Sequence, residues 1–237
     1  MKKQIVLGSV ALSMALASSM ASAATFTVEV QNLTQGIYFT PLLVAAHDSD
    51  THLFQSGSTA TASLQAMAEG GSLDGLTVDL DGTSAQYQAN PAGGLLAPGA
   101  ISPATAEIST HGTDNNNLSV VGMMLPTNDG FIGLNSYKIP TEAGTYTVNI
   151  NGYDAGTEAN DEIVNGGGAA GTPGIPAAPG GDAGSGGTGA AGADTNPTVH
   201  IHRGVLGDTD ATGGTSDLDS RIHRWLNPVA RVTITVK

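Results

Sequence analysis

Four acidic residues stand close together in the stretch "NGYDAGTEANDE": Asp154, Glu158, Asp161 and Glu162, with no Lys or Arg among them. Carboxylates placed at a turn without a base fit two kinds of chemistry. They form a solvated acidic turn, or they supply oxygens to a hard cation such as calcium, which takes six to eight oxygen ligands from carboxylates, carbonyls and water. Within "DAGTE", Gly156 lets the backbone bend so that Asp154 and Glu158 can face one point. The spacing matches neither an EF-hand nor a calcium-binding nonapeptide repeat. Because acidic clusters are common on protein surfaces, spacing alone leaves both readings open.

A second group lies in "TVHIHRG". His200 and His202 are two residues apart on a predicted strand, so both project from one face. An H-x-H pair can begin a zinc or copper site, but such a site needs a third ligand and often a fourth. His223 in "RIHRW", His47 or Asp208 would have to arrive from elsewhere in the chain. The alternative is that these imidazoles hydrogen-bond within a sheet face or a turn. Signals for catalysis are lacking: there is no G-x-S-x-G, no H-E-x-x-H and no Cys. The Gly-rich segments lack the Lys-Ser/Thr of a phosphate loop. Aromatic residues are 4% of the chain, so a stacking platform for glycans is disfavoured, and the single Trp, Trp225, reads as a core anchor before the last strand.

The elements that must position these residues are short strands. "TFTVEVQNL" alternates Phe26, Val28 and Val30 with Thr27, Glu29 and Gln31, the pattern of a half-buried strand. "PLLVAA", "LTVDL", "TAEIST", "LSVVGMML", "FIGLNS", "TYTVNING", "TVHIHRG" and "ARVTITV" read the same way, with turn clusters between them. One helix is predicted in "TASLQAMAEGG", with Leu64, Met67 and Ala68 on one side and Gly70-Gly71 as its stop. Many short strands with Gly-rich turns predict an all-β fold, an antiparallel β-sandwich. Residues 165–194 differ, being almost entirely Gly, Ala and Pro with Ile175 as the one bulky apolar residue. That composition predicts a flexible loop inserted within the domain, a passive spacer.

The chain opens with Lys2 and Lys3, an apolar run, and Ala21-Ser22-Ala23, the pattern of a secretory signal peptide over 1–23 cut before Ala24. One domain over 24–237 would follow, secreted or periplasmic, without a membrane-spanning run. The formal net charge is −13, and it becomes more negative once the two leader lysines are removed. Such a chain is a poor direct partner for nucleic acid or anionic lipid, which need basic neutralisation. The absence of Cys excludes disulfides and thiolate metal sites.

"MMLPTNDGFIGLNS", "YDAGTE" and the closing "NPVARVTITV", in this order, resemble the spondin N-terminal domain of F-spondin and mindin. "FTVEVQNLT" followed by "TPLLVAAHD" is similar to bacterial secreted members. The resemblance implies an antiparallel sandwich akin to calcium-dependent lipid-binding sandwich domains, with one Ca2+ ion in its loops. It places the three carboxylate positions on Asp129, Asp154 and Glu158. The third is usually Asp in the family, so Glu158 keeps the charge on an arm one methylene longer. Asp161 and Glu162 are outer-shell acids or merely solvated. The implied function is that of a non-enzymatic adhesion or envelope module with a protein or glycan ligand. A transition-metal protein or metal-dependent enzyme built on His200, His202 and His223 is the alternative, and a sandwich without metal is the third reading.

Overall fold

The computed structural model describes residues 23–193 and 195–237, so the leader lies outside the described residues apart from Ala23. Ten strands occur: β1 (Thr25–Asn32), β2 (Tyr38–Phe39), β3 (Leu43–His47), β4 (Gln86–Ala89), β5 (Ile108–Ser109), β6 (Asn117–Leu125), β7 (Gly130–Lys138), β8 (Gly144–Asp154), β9 (His200–Ile201) and β10 (Ala230–Val236). All strand pairs are antiparallel, in the order β4-β3-β6-β7-β8-β10-β1-β5, with β2 beside β6 and β9 beside β8. The sandwich expectation is met, in a nearly closed sheet.

Strand β8 links the two halves. Its residues from Gly144 to Ile150 pair with β10, whereas Asn151 to Asp154 pair with Gly133 to Gly130 of β7. The strand thus leaves one sheet for the other and delivers Asp154 opposite Gly130, the residue after Asp129. Between the sheets, Phe26, Val28, Val30, Val232 and Ile234 meet Val44, Leu118, Val120, Met124 and Ile132. Apolar burial of this kind supplies most of the drive to fold.

The β3–β6–β7 half is buried on both faces. Its outer side chains Leu43, Ala45, Val121, Met123 and Phe131 are covered by Phe54 and by two helices, α1 (Ala62–Gly70) and α2 (Asp74–Asp81). Helix α1 is the predicted helix: the Thr61 hydroxyl accepts from the Leu64 N–H, and Gly71 closes it at φ 71°. Helix α2 corrects the strand expected over "LTVDL". Leu76 and Leu80 are buried while Val78 is 67% exposed, so the apolar residues that look alternating pack at helical i, i+4 spacing. "TAEIST" contributes only the two residues of β5, and "TVHIHRG" only the two of β9.

The Gly-rich tract is anchored at points its composition did not reveal. Ile175 is fully buried in the inter-sheet core and bridges Val164. Backbone N–H groups of Gly171, Gly174 and Gly187 donate to the carboxylates of Glu69, Glu158 and Asp217, at 2.5, 3.0 and 3.0 Å.

Candidate metal centre

Asp129 leaves the β6–β7 turn, and Asp154 and Glu158 lie at the end of β8 and in the loop after it. The Thr127 hydroxyl accepts from the Gly130 N–H at 2.9 Å and donates to the Met124 carbonyl, which shapes the turn that carries Asp129. Asp129 is fully buried. Its Oδ2 accepts from the Thr157 N–H at 2.8 Å, the Thr157 hydroxyl at 3.2 Å and the Glu158 N–H at 3.2 Å. Its Oδ1 has no hydrogen-bond partner. Burial first, and then the charge of Asp154, push the Asp129 carboxyl from 3.8 up to about 7.

Asp154 Oδ1 accepts from the Gly156 N–H, and Oδ2 from the Asn160 side-chain amide, both at 2.8 Å. Gly156 sits at φ 71°, and a Cβ there would lie 2.7 Å from the Asn196 carbonyl oxygen and 2.7 Å from the Thr198 nitrogen. This turn therefore has room only for glycine. Among the described residues, the basic side chain within ion-pair distance of Asp154 is His200, whose Nε2 is 3.8 Å from Oδ2.

Glu158 touches the same loop through its backbone but turns its carboxylate another way. Oε2 accepts from the Gly174 N–H at 3.0 Å and from Asn128 Nδ2 at 3.4 Å, while Oε1 is buried without a partner. Burial pushes this carboxyl from 4.5 up to about 6, with Glu69 and Asp161 contributing repulsion. So Asp129 and Asp154 are brought together, whereas the Glu158 carboxylate faces Glu69 and the insertion. Among the described residues, no three His, Asp or Glu side chains stand already grouped to hold a metal ion.

The two neighbouring acids serve as struts. Asp161 Oδ1 accepts from Asn128 Nδ2 at 2.8 Å and from the Ile163 N–H. Buried Glu162 accepts from the Leu206 N–H, the Gly207 N–H and the Ser216 hydroxyl, at 2.6, 2.9 and 2.6 Å. Neither is merely solvated. Asn128 knits the β6–β7 turn to the loop after β8, since its Oδ1 also accepts from the Glu162 N–H. It was missed in the sequence; its place beside Asp129 in "PTNDG" was the available signal.

The histidines do not converge. His200 Nδ1 lies 2.7 Å from the Thr198 carbonyl, His202 packs against Trp225 with ring centres 5.0 Å apart and planes tilted by 52°, and both His47 nitrogens are bonded, to Asp48 and Ser119. His223 Nδ1 accepts from the Asp219 N–H, and Asp208 is occupied by the N–H groups of Asp210, Thr215 and Ser216. Trp225 is the expected core anchor.

The structure is thus an antiparallel sandwich-like sheet with the Asp129 and Asp154 carboxylates brought together at the β6–β7 turn and the end of β8. The family model for the spondin N-terminal domain, described as Spondin_N, matches residues 20–163, and the chain belongs to this family. The match includes Asp129, Asp154 and Glu158 and stops before the Gly-rich tract, β9 and β10. A search of curated proteins found no match. The family is one of extracellular, non-enzymatic modules. No described helix is long and apolar enough to cross a membrane.

Proposed function

We propose that the protein is a secreted calcium-binding module that acts by engaging a protein or glycan ligand in the cell envelope or matrix. One observation carries the calcium reading: Asp129 Oδ1 is buried and unpartnered beside the Asp154 charge, and among the described residues neither acid pairs with a Lys or Arg. Such a pair takes up a proton or a cation. Oxygen ligands suit calcium, and Asp129 and Asp154 would hold the ion, with Glu158 joining them once its carboxylate, now bonded to the Gly174 N–H, turns its unpartnered Oε1 toward the pair. The ion would neutralise the turn and fix the two loops against each other.

The test is thermal melting of purified protein in chelator and in rising calcium. Calcium bound to the native state alone adds about 2.7 kcal/mol at a hundredfold excess over Kd. The melting temperature is expected to rise with calcium and fall with chelator. A melting temperature indifferent to both would leave the acids as structural groups only.

A further inference from the structure

A hollow of about 470 Å3 lies between the loop after β8 and the Gly-rich tract. Thr157, Glu158, Asp161 and Ile163 line it from the loop, and Pro173 and Thr188 from the tract, with glycine and alanine filling the rest of the wall. Two backbone bonds hold the tract against the loop here. The Ile175 N–H donates to the Ile163 carbonyl at 2.9 Å, and the Ala190 N–H to the Asp161 carbonyl at 2.8 Å. The size is that of a small-molecule site, roughly 300–1,000 Å3. Neither Asp129 nor Asp154 borders it.

The charge at this wall is of one sign. Glu69 and Asp161 are the charged groups that act on Glu158, and both repel it. No Lys or Arg occurs in sequence between Lys138 and Arg203, the stretch that supplies the whole wall. Among the described residues, neither Glu158 nor Asp161 enters a salt bridge. Each also keeps an oxygen in reserve. Glu158 is buried, and its Oε1 has no hydrogen-bond partner. Asp161 accepts through Oδ1, and among the described residues its Oδ2 accepts nothing. The two carboxylates are close neighbours, because Asn128 Nδ2 donates to both, at 3.4 Å to Glu158 Oε2 and 2.8 Å to Asp161 Oδ1.

We infer that this hollow binds an alkyl ammonium group, carried by a free amine or by a lysine side chain of a partner, with the cation on Glu158 and Asp161 and the carbon chain along Ile163 and Pro173. A buried acceptor without a donor is costly, and an ammonium brings only donors. The terminal torsion of a Glu side chain is broad, so Oε1 can meet such a donor without a backbone shift. These acids are not grouped as a metal ion needs; a larger cation with its own N–H groups spans the wider spacing. Walls of glycine and alanine leave room for a methylene chain, and the net charge of −13 draws cations in from a distance. Glu158 is the one residue shared with the calcium reading, so the test is made without calcium.

That test is an NMR titration of the isotope-labelled protein in chelator at low salt. The probes are cadaverine, a blocked Ala-Lys-Ala peptide, and pentanediol as the uncharged control. The cationic probes are expected to shift the amides of 157–163, 171–174 and 187–192 saturably, and pentanediol to leave them in place. Tighter binding of cadaverine points to a free amine, and tighter binding of the peptide to a partner's lysine. Affinity should fall as salt rises. Glu158→Gln, which keeps an oxygen for the Gly174 N–H, should weaken binding about tenfold. Asp161→Asn, at a half-buried position, should weaken it about threefold. The absence of a saturable shift with either cation, equal shifts with pentanediol, or shifts centred on Asp129 and Asp154 would overturn the inference. So would Glu158→Gln and Asp161→Asn variants that bind as the parent does.

Discussion

Two buried carboxylates separated by strands β7 and β8, Asp129 and Glu162, differ in one respect. Glu162 sits where the 206–216 segment folds over it, and three donors fill its two oxygens. Asp129 sits between β6 and β7, and only one of its oxygens is filled while the other faces a neighbouring negative charge. The first is a strut whose charge is answered by the backbone. The second has a charge left over. Neither burial nor the number of donors, three for each carboxylate, separates the two acids; the sharing of those donors between both oxygens does.

The comparison breaks most visibly at the strut. Glu162→Ala leaves the Leu206 and Gly207 amides and the Ser216 hydroxyl without their acceptor, and should cost about 3 kcal/mol or more in chemical denaturation, with or without calcium. If Glu162→Ala costs nothing, the filling of both carboxylate oxygens is a poor guide here. Ile175→Ala comes next, with an expected loss of about 2–4 kcal/mol for a fully buried side chain. An unchanged denaturation midpoint would be the behaviour of a passive spacer.

Asp129→Asn should act in the opposite sense. The new amide oxygen can keep the Thr157 and Glu158 donors while its NH2 group replaces the unpartnered oxygen next to Asp154. In chelator at neutral pH the variant should be about 1 kcal/mol more stable than the parent, and its melting should no longer respond to calcium. Destabilisation in chelator would mean that the Asp129 charge is already answered within the protein.

The pH dependence sharpens the same point. Asp129 is raised to about 7 and Glu158 to about 6, so the folded state keeps protons that the unfolded chain releases near its ordinary carboxylate range. Their contribution is greatest below that range and is lost as pH rises through about 6 to 7. Without calcium the melting temperature should fall across this window, and calcium should flatten the fall. The smallest effect expected is that of Asp161→Asn, which keeps an oxygen for the Ile163 N–H and should leave calcium affinity within about twofold of the parent. A larger loss would make Asp161 a ligand.

Much of the fold was legible because strands buried on one face alternate, as in β1 and β10. "LTVDL" was not, because Leu76, Val78 and Leu80 satisfy period 2 while Leu76 and Leu80 also satisfy i, i+4, and only the covering sheet decides between them. At the site, the acids could be read from "YDAGTE", but Asp129 entered only through the family resemblance, since no local pattern ties it to a loop about 25 residues away. The partners that distinguish strut from ligand are mostly backbone amides, such as those of Gly174 and Leu206, which leave no trace in residue type.

Calorimetric titration of the chelator-treated protein with calcium, on the parent and on Asp129→Asn, tests the central claim most directly. One ion should bind the parent, and the heat of binding should vanish in the variant. No heat in the parent, or a titration unchanged by Asp129→Asn, would contradict the account.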